Sequence, residues 1–297
     1  MFRGIITPVI TPLKENRELD FAGMEAVIEH LIGGGMNGLL FLGSLGEFFA
    51  LTSAEKKELI RFVVAKVNNR IPVLIGTGGT VVSEVIELTQ FAKEAGADGA
   101  VLISPYYFSL NEATIAAYYE EIAKNTSLPL LIYNFPDRTS VNLSPQLIAN
   151  LAKNYPQIVG MKDTVDNISH TRELIQTVKT VAPDFSILSG FDEYLLPNLM
   201  AGGDGVICGL TNIVPELFSA LLINYQQGNF AAIGHGQEKI NILMNLYKVS
   251  QPFISGIKAA TALRGVPVTS LCKAPSLPLT TEQETEVKLL LNKAQIL

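Results

Sequence analysis

The sequence predicts an α/β fold, a (β/α)8 TIM barrel with a C-terminal helical extension. Three observations carry this. Eight short, β-rich apolar runs recur along the 297 residues, and each gives way through Gly, Ser, Thr, Asn or Asp to a segment with helical periodicity. Successive runs begin 19 to 34 residues apart, about the length of a βα unit. No linker interrupts the series, and no Gly-x-Gly-x-x-Gly follows the first run, which favours a closed barrel over an open dinucleotide-binding sheet.

Taken in order, the runs are residues 4–10, 38–42, 71–75, 99–103, 128–133, 158–162, 185–188 and 204–208. Their near-continuous apolar character implies parallel strands covered on both faces. The segments between them carry helix signals. Asp20 can cap a stripe of Phe21, Met24, Ile28 and Leu31, and Thr52-Ser53-Ala54-Glu55 reads as a capping box. Ser144 followed by Pro145 is an N-cap with proline at the first helical position. Three helix-to-strand junctions nearly repeat: Gly35-Met36-Asn37-Gly38, Gly96-Ala97-Asp98-Gly99 and Gly203-Asp204-Gly205. Each puts glycine where a helix must end and the chain must turn into a buried strand. About 85 residues follow the eighth run without a strand signal and read as helices at 215–227, 230–249, 252–264 and 282–291. The expected organisation is a barrel core over 1–212 with helices 213–297 packed on it as one structural unit.

Composition excludes several function classes. Apolar residues make up 48% and charged residues 17%, below the ~25% of an average soluble chain, so intrinsic disorder is excluded. The net charge of −6, with Lys and Arg scattered, argues against nucleic-acid or membrane partners. No apolar run approaches the ~20 residues of a membrane span. The apolar N-terminus is broken by Thr7, Pro8, Thr11 and Pro12 and has no small-residue cleavage site, so it reads as a first strand and turn rather than a signal peptide. Two cysteines, Cys208 and Cys272, suit reduced thiols in a cytoplasmic protein. The three histidines, His30, His170 and His235, stand apart in sequence, so no histidine-based metal site is expected.

In such a barrel the functional side chains sit at the C-terminal ends of the strands. There, Lys162 closes the run Ile158-Val159-Gly160-Met161 and points toward the barrel mouth. It is either a lysine whose head reaches water or a carboxylate, or an amine that attacks a carbonyl and forms a Schiff base. The second role needs a proton shuttle, and Tyr133 ends the preceding run. Ser44 lies between glycines before a capped helix, in an ordinary turn or a backbone nest for a carboxylate. Thr77-Gly78-Gly79 lacks a following Gly-Lys-Ser/Thr and reads as a tight turn, not a phosphate loop. Tyr106 and Tyr107 suit an interface or core, and Arg138 suits the surface or a bidentate clamp on a carboxylate.

Gly43-Ser44-Leu45-Gly46-Glu47, Tyr133-Asn134-Phe135-Pro136 and Gly160-Met161-Lys162-Asp163 together resemble the signatures of the dihydrodipicolinate synthase / N-acetylneuraminate lyase superfamily, over essentially the whole chain. The resemblance implies a TIM-barrel lyase, usually a homotetramer built as a dimer of dimers, that holds pyruvate or a related 2-keto acid as a lysine imine without metal or organic cofactor. By position, Lys162 matches the Schiff-base lysine and Tyr133 the general acid/base. Ser44 matches the hydroxyl that holds the carboxylate and links Tyr133 to a second tyrosine, Tyr107, which the family lends across a subunit interface. Ile207 matches a residue whose carbonyl faces the keto acid. Leu45 replaces a threonine of the synthases, and its backbone N–H can still donate.

The substrate signals divide. Arg138 resembles the arginine with which the synthases hold aspartate semialdehyde. Gly190-Phe191-Asp192-Glu193 resembles the segment by which sialic-acid lyases and sugar-acid aldolases hold substrate hydroxyls. The run from Leu42 to Phe48, with Lys162-Asp163-Thr164-Val165-Asp166, looks most like the 2-keto-3-deoxygluconate aldolase branch. That implies reversible aldol cleavage to pyruvate and an aldehyde. Dihydrodipicolinate synthesis, a dehydratase on a similar imine, and a catalytically dead sugar-acid sensor are the alternatives.

Overall fold

The structure, a computed structural model, describes residues 2–297. Its strands are β1 (Gly4–Pro8), β2 (Gly38–Phe41), β3 (Val73–Gly76), β4 (Gly99–Ile103), β5 (Leu130–Asn134), β6 (Ile158–Asp163), β7 (Ser186–Ser189) and β8 (Gly205–Ile207). They pair in sequence order and close into a barrel, the (β/α)8 architecture expected. The helices are α1 (Phe21–Gly33), α2 (Ser53–Val67), α3 (Val82–Glu94), α4 (Glu112–Lys124), the single turn α5 (Pro136–Thr139), α6 (Pro145–Asn154), α7 (Ile168–Val181) and α8 (Leu195–Met200). After β8 come α9 (Pro215–Gln227), α10 (Phe230–Leu243), α11 (Ile254–Leu263) and α12 (Thr281–Lys293). None of these helices is long and apolar enough to cross a membrane.

The chain divides into two compact units: residues 2–4 with Pro72–Ile207, and Ile5–Ile71 with Cys208–Leu297. The first holds the parallel ladders from β3 to β8. Gly160 belongs to the reason β6 and β7 lie close: a Cβ there would stand 2.9 Å from the Ser186 carbonyl oxygen. In the second, β1 pairs with β2 through Ile6↔Gly38, Thr7↔Leu39 and Pro8↔Leu40. The C-terminal helices belong to this unit, where α9 packs on α10, and α11 on α12. Gly34, after α1, leaves room for Pro215 at the start of α9, which an added Cβ would approach to 2.4 Å.

The caps form where the sequence places them. Asp20 accepts from the Gly23 N–H, Thr52 and Glu55 complete a capping box, and Ser144 caps α6 ahead of Pro145. One element departs. The segment 230–249 is α10 followed by a 3-10 turn, Met244–Lys248, rather than one helix. There the Asn245 side-chain amide donates to the Ile242 carbonyl at 3.0 Å, offering the backbone a local alternative to the α-helical ladder.

The repeated junctions have a common mechanism. Gly35, Gly96 and Gly202 take positive φ (84°, 96° and 91°), so the third repeat begins one residue earlier than its Gly203. The Asx two residues on then grips the strand two elements earlier. Asn37 Oδ1 accepts from the Ile5 N–H at 2.8 Å, Asp98 Oδ2 from Val73 at 2.7 Å, and Asp204 Oδ2 from Ile187 at 2.9 Å. In each case the Asx N–H donates back to that residue's carbonyl. The pattern enters β2, β4 and β8 with both edge groups of the preceding strand satisfied.

Asp98→Ala removes a charged acceptor and leaves the Val73 N–H without it. The expected cost is ~1.5–3 kcal/mol, a fall of several degrees in Tm measured by calorimetry. An unchanged Tm would show that the staple contributes nothing.

Candidate active site

Tyr133 and Lys162 are register partners on β5 and β6, so their side chains leave the sheet on one face. Both are buried, at 6% and 5% exposure, and the Lys162 amine stands 4.2 Å from the centroid of the Tyr133 ring. Among the described residues Lys162 has no carboxylate at ion-pair distance. Gly190, just past β7, makes room for this lysine: an alanine Cβ would stand 3.2 Å from Lys162 Cε and 1.8 Å from Thr164 Oγ1. The Thr164 hydroxyl is buried with no hydrogen-bond partner among the described residues. The site thus joins an unpaired amine, a phenol and an unused hydroxyl.

Beside this group, Phe135 stacks on Tyr133 with centroids 5.6 Å apart. The exposed Arg138 lies 5.1 Å over the Phe135 ring. Asp192 is buried in the 3-10 turn Asp192–Tyr194, with Glu193 half-buried beside it. Burial pushes the Glu193 carboxyl up, and the Asp166 charge adds to that against a backbone hydrogen bond that lowers it. Burial also raises the Tyr194 phenol, to about 12, helped by its 2.6 Å hydrogen bond to Asp166. Tyr107 is 84% exposed, edge-on to Phe108. Ile207 is the buried last residue of β8. Thr77-Gly78-Gly79 is a tight turn in which a Gly78 Cβ would stand 2.6 Å from the Ile103 nitrogen, and Tyr118 donates to the Gly79 carbonyl at 3.1 Å.

Behind Tyr133 and Lys162 lies a buried polar ring that the sequence did not reveal. Asn134 Nδ2 donates to Asp163 Oδ1 at 2.9 Å, and Asp163 Oδ2 meets His170 Nδ1 at 3.1 Å. His170 Nε2 meets the Leu143 carbonyl at 3.1 Å, and the Leu143 N–H donates to Asn134 Oδ1 at 3.2 Å. Thr171 Oγ1 also donates to Asp163 Oδ2, at 3.2 Å. Both imidazole nitrogens face acceptors, so the charged ring satisfies both. Burial opposes that charge most strongly, but the Asp163 hydrogen bond and charge, the Leu143 carbonyl and Glu173 together outweigh it, and the His170 pKa is raised.

In the second unit, Ser44 and Leu45 follow β2 in the loop ending at Glu47. Ser44 is half-buried and Leu45 buried. The loop is fixed from beneath. Thr11 Oγ1 donates to the Gly46 carbonyl at 2.8 Å, and a Gly46 Cβ would stand 3.0 Å from the Leu42 nitrogen. Glu47, with φ of 56°, accepts from Lys258 Nζ at 2.5 Å and from the Lys273 N–H at 2.7 Å. Lys258 is fully buried on α11 and also donates to the Leu271 carbonyl at 2.7 Å. A lone lysine within Ile254–Leu263, otherwise free of charge, was the sequence signal for this pair.

With that geometry in hand, comparison places the chain. Residues 1–294 match the dihydrodipicolinate synthetase family. The chain belongs to that family. It is 41% identical over 297 residues to the "Putative 2-dehydro-3-deoxy-D-gluconate aldolase YagE" of Escherichia coli K12, covering 100% of this chain and 98% of that protein. It is 38% identical over 296 residues to the "Probable 2-dehydro-3-deoxy-D-pentonate aldolase YjhH" of the same organism, again covering 100% and 98%. A "4-hydroxy-tetrahydrodipicolinate synthase" of Methanocaldococcus jannaschii is 36% identical over 292 residues, with 98% and 97% covered. The crystal structure of YagE in complex with pyruvate superposes with a TM-score of 0.97 at 40% identity over 100% of both chains. The family resemblance read from the three motifs therefore holds.

Two outcomes are expected of these networks. Lys258→Met strands the buried Glu47 carboxylate and should cost ~3–5 kcal/mol in chemical denaturation, whereas Glu47→Gln with Lys258→Met should recover part of that loss. A double variant no more stable than the single one would refute the pairing argument. For His170, the folded-state pKa is raised, so its stabilisation is complete below the unfolded value of ~6.5 and is lost as pH rises through the folded value. The Tm gap between the parent protein and His170→Leu should be wider at pH 6 than at pH 9. A gap that widens toward alkaline pH contradicts it.

Proposed function

We propose that this member of the family is a Schiff-base aldolase that reversibly cleaves a 2-keto-3-deoxy sugar acid, of the 2-keto-3-deoxygluconate type, to pyruvate and an aldehyde. The observation that carries the reading is the buried Lys162 amine, free of any carboxylate partner among the described residues and held 4.2 Å from the Tyr133 ring. The names of YagE and YjhH, and the pyruvate bound to YagE, support the same reaction class.

The steps balance without a cofactor. The Lys162 amine adds to C2 of the keto acid. The Tyr133 phenol gives the proton with which the C2 hydroxyl leaves as water, so that a protonated imine and a Tyr133 phenolate remain. Tyr133 takes the C4 hydroxyl proton as the C3–C4 bond breaks, and that electron pair moves into the imine to form an enamine while the aldehyde departs. A proton returned to C3 and hydrolysis of the imine release pyruvate and the free lysine. The family resemblance assigns Ser44 and the Leu45 N–H to the keto-acid carboxylate and the Ile207 carbonyl to the pyruvyl carbon chain. Fixing the keto acid this way supplies part of the rate through orientation.

On the aldehyde side, Gly190 leaves space, while Asp192, Glu193 and the buried Thr164 hydroxyl take the sugar hydroxyls. Tyr107, with its exposed ring, is lent to a neighbouring copy in a homotetramer. Two buried thiols, Cys208 and Cys272, suit a cytoplasmic enzyme. A second reading, condensation of pyruvate with aspartate semialdehyde, is favoured by the exposed Arg138 guanidinium over Phe135, placed to meet a carboxylate.

Borohydride added with pyruvate should fix an adduct on Lys162 by mass spectrometry, and no adduct, or one on another lysine, overturns the mechanism. A pyruvate-release assay over a panel of 2-keto-3-deoxy acids, beside the semialdehyde condensation, then decides the substrate. Asp192→Ala should lower kcat/KM for the preferred sugar acid roughly tenfold to hundredfold, for a contact of ~1.5–3 kcal/mol, and leave trapping intact. Thr164→Val should cost roughly two- to tenfold. Unchanged sugar-acid kinetics in both, with condensation abolished by Arg138→Ala, would assign the second reading.

A further inference from the structure

The ladder between β5 and β6 does not keep a single register. Leu130 pairs with Ile158, yet the next residue, Leu131, pairs with Gly160, so Val159 is passed over. Beyond this irregularity Tyr133 faces Lys162 and Asn134 faces Asp163. Backbone hydrogen bonds alone are nearly indifferent to such slips, and side chains are what specify a register. Both inward residues here belong to the reacting pair, so neither is spared to lock the strands.

Their covalent neighbours are placed to do so. Side chains alternate along a strand, so Asn134 and Asp163 leave the sheet on the face opposite Tyr133 and Lys162. There they meet directly at 2.9 Å, and His170, in the first turn of α7, ties Asp163 to the segment before α6 through the Leu143 carbonyl. That segment returns to Asn134 through the Leu143 N–H and through Asn142, whose Oδ1 accepts from Asn134 Nδ2 at 2.8 Å. Each member of the pair is fully engaged: Asn134 uses both amide hydrogens and its oxygen, and Asp163 uses both oxygens. A slip of β6 by one residue would put Lys162 or Thr164 opposite Asn134, break the ring and turn the amine away from Tyr133.

We propose that Asn134, Asp163 and His170 form a register clamp, positioning residues that hold the Lys162 amine against Tyr133 and so set the rate of proton transfer at the imine. This rests on Lys162 being the imine-forming lysine. A displacement of about 1 Å at a reacting pair can cost on the order of a hundredfold in rate.

The test measures turnover per active site, with sites counted by borohydride trapping of pyruvate on the full-length protein. His170→Leu should lower kcat per trapped site roughly tenfold to hundredfold, with KM changed less than about threefold. His170→Asn, whose amide can replace Nδ1 as donor to Asp163, should recover most of that loss. Asp163→Asn, close in shape but uncharged, serves if His170→Leu does not fold and should fall as far in kcat. A purely structural ring would lower Tm and the number of trapped sites but leave kcat per site at the parent value, and that result overturns the clamp. Absence of any adduct in the parent protein is a different outcome, which removes the aldolase reading itself.

Discussion

A buried amine with no counter-charge among the described residues is the constraint around which the first unit is arranged. Taking a charged or polar head out of water is costly unless something meets it, and Lys162 meets an aromatic face rather than a carboxylate. Its neighbours make that burial possible. Gly160 lets β6 and β7 approach, Gly190 gives the lysine stem its passage, and Asp163, the nearest carboxylate in sequence, is turned away and occupied by Asn134, His170 and Thr171. The same chain shows the opposite solution in its second unit. Lys258 is buried as deeply, but Glu47 and the Leu271 carbonyl satisfy it. Lys258, paired in this way, holds a loop in shape, whereas Lys162 has no carboxylate at ion-pair distance among the described residues.

The fold was legible because its signals are local. Strand runs, capping residues and the Gly-x-Asx-Gly junctions each report on a few consecutive residues, and the eight strands lie within two residues or so of where the apolar runs predict them. Even the single departure, the break after Leu243, depends on a local competition by Asn245 for a backbone carbonyl. Lys162, Tyr133 and Gly190 were also legible, since each stands at a strand end, where a barrel concentrates its chemistry. The supporting residues were not. His170 is distant from Leu143 in sequence and meets its carbonyl only when α7 and the segment before α6 come together on the outer face of the sheet. Glu47 and Lys258 are 211 residues apart, and the lone lysine of α11 flags a buried charge without naming its partner.

Chemistry and selectivity are carried by different pieces of the first unit. Tyr133 and Lys162 sit within paired strands, where register and side-chain alternation fix them. The groups assigned to the aldehyde, Asp192, Glu193 and Thr164, follow β7 and β6 in turns that can change without disturbing the ladder. Relatives that cover nearly the whole chain at 36% to 41% identity carry the names of sugar-acid aldolases and of a 4-hydroxy-tetrahydrodipicolinate synthase. A scaffold that fixes Tyr133 and Lys162 on paired strands and leaves the turns after β6 and β7 outside the ladder is physically suited to that spread. Paired strands hold Tyr133 and Lys162 in register, whereas Asp192, Glu193 and Thr164 lie outside the ladder, where substitution leaves the strand pairing intact.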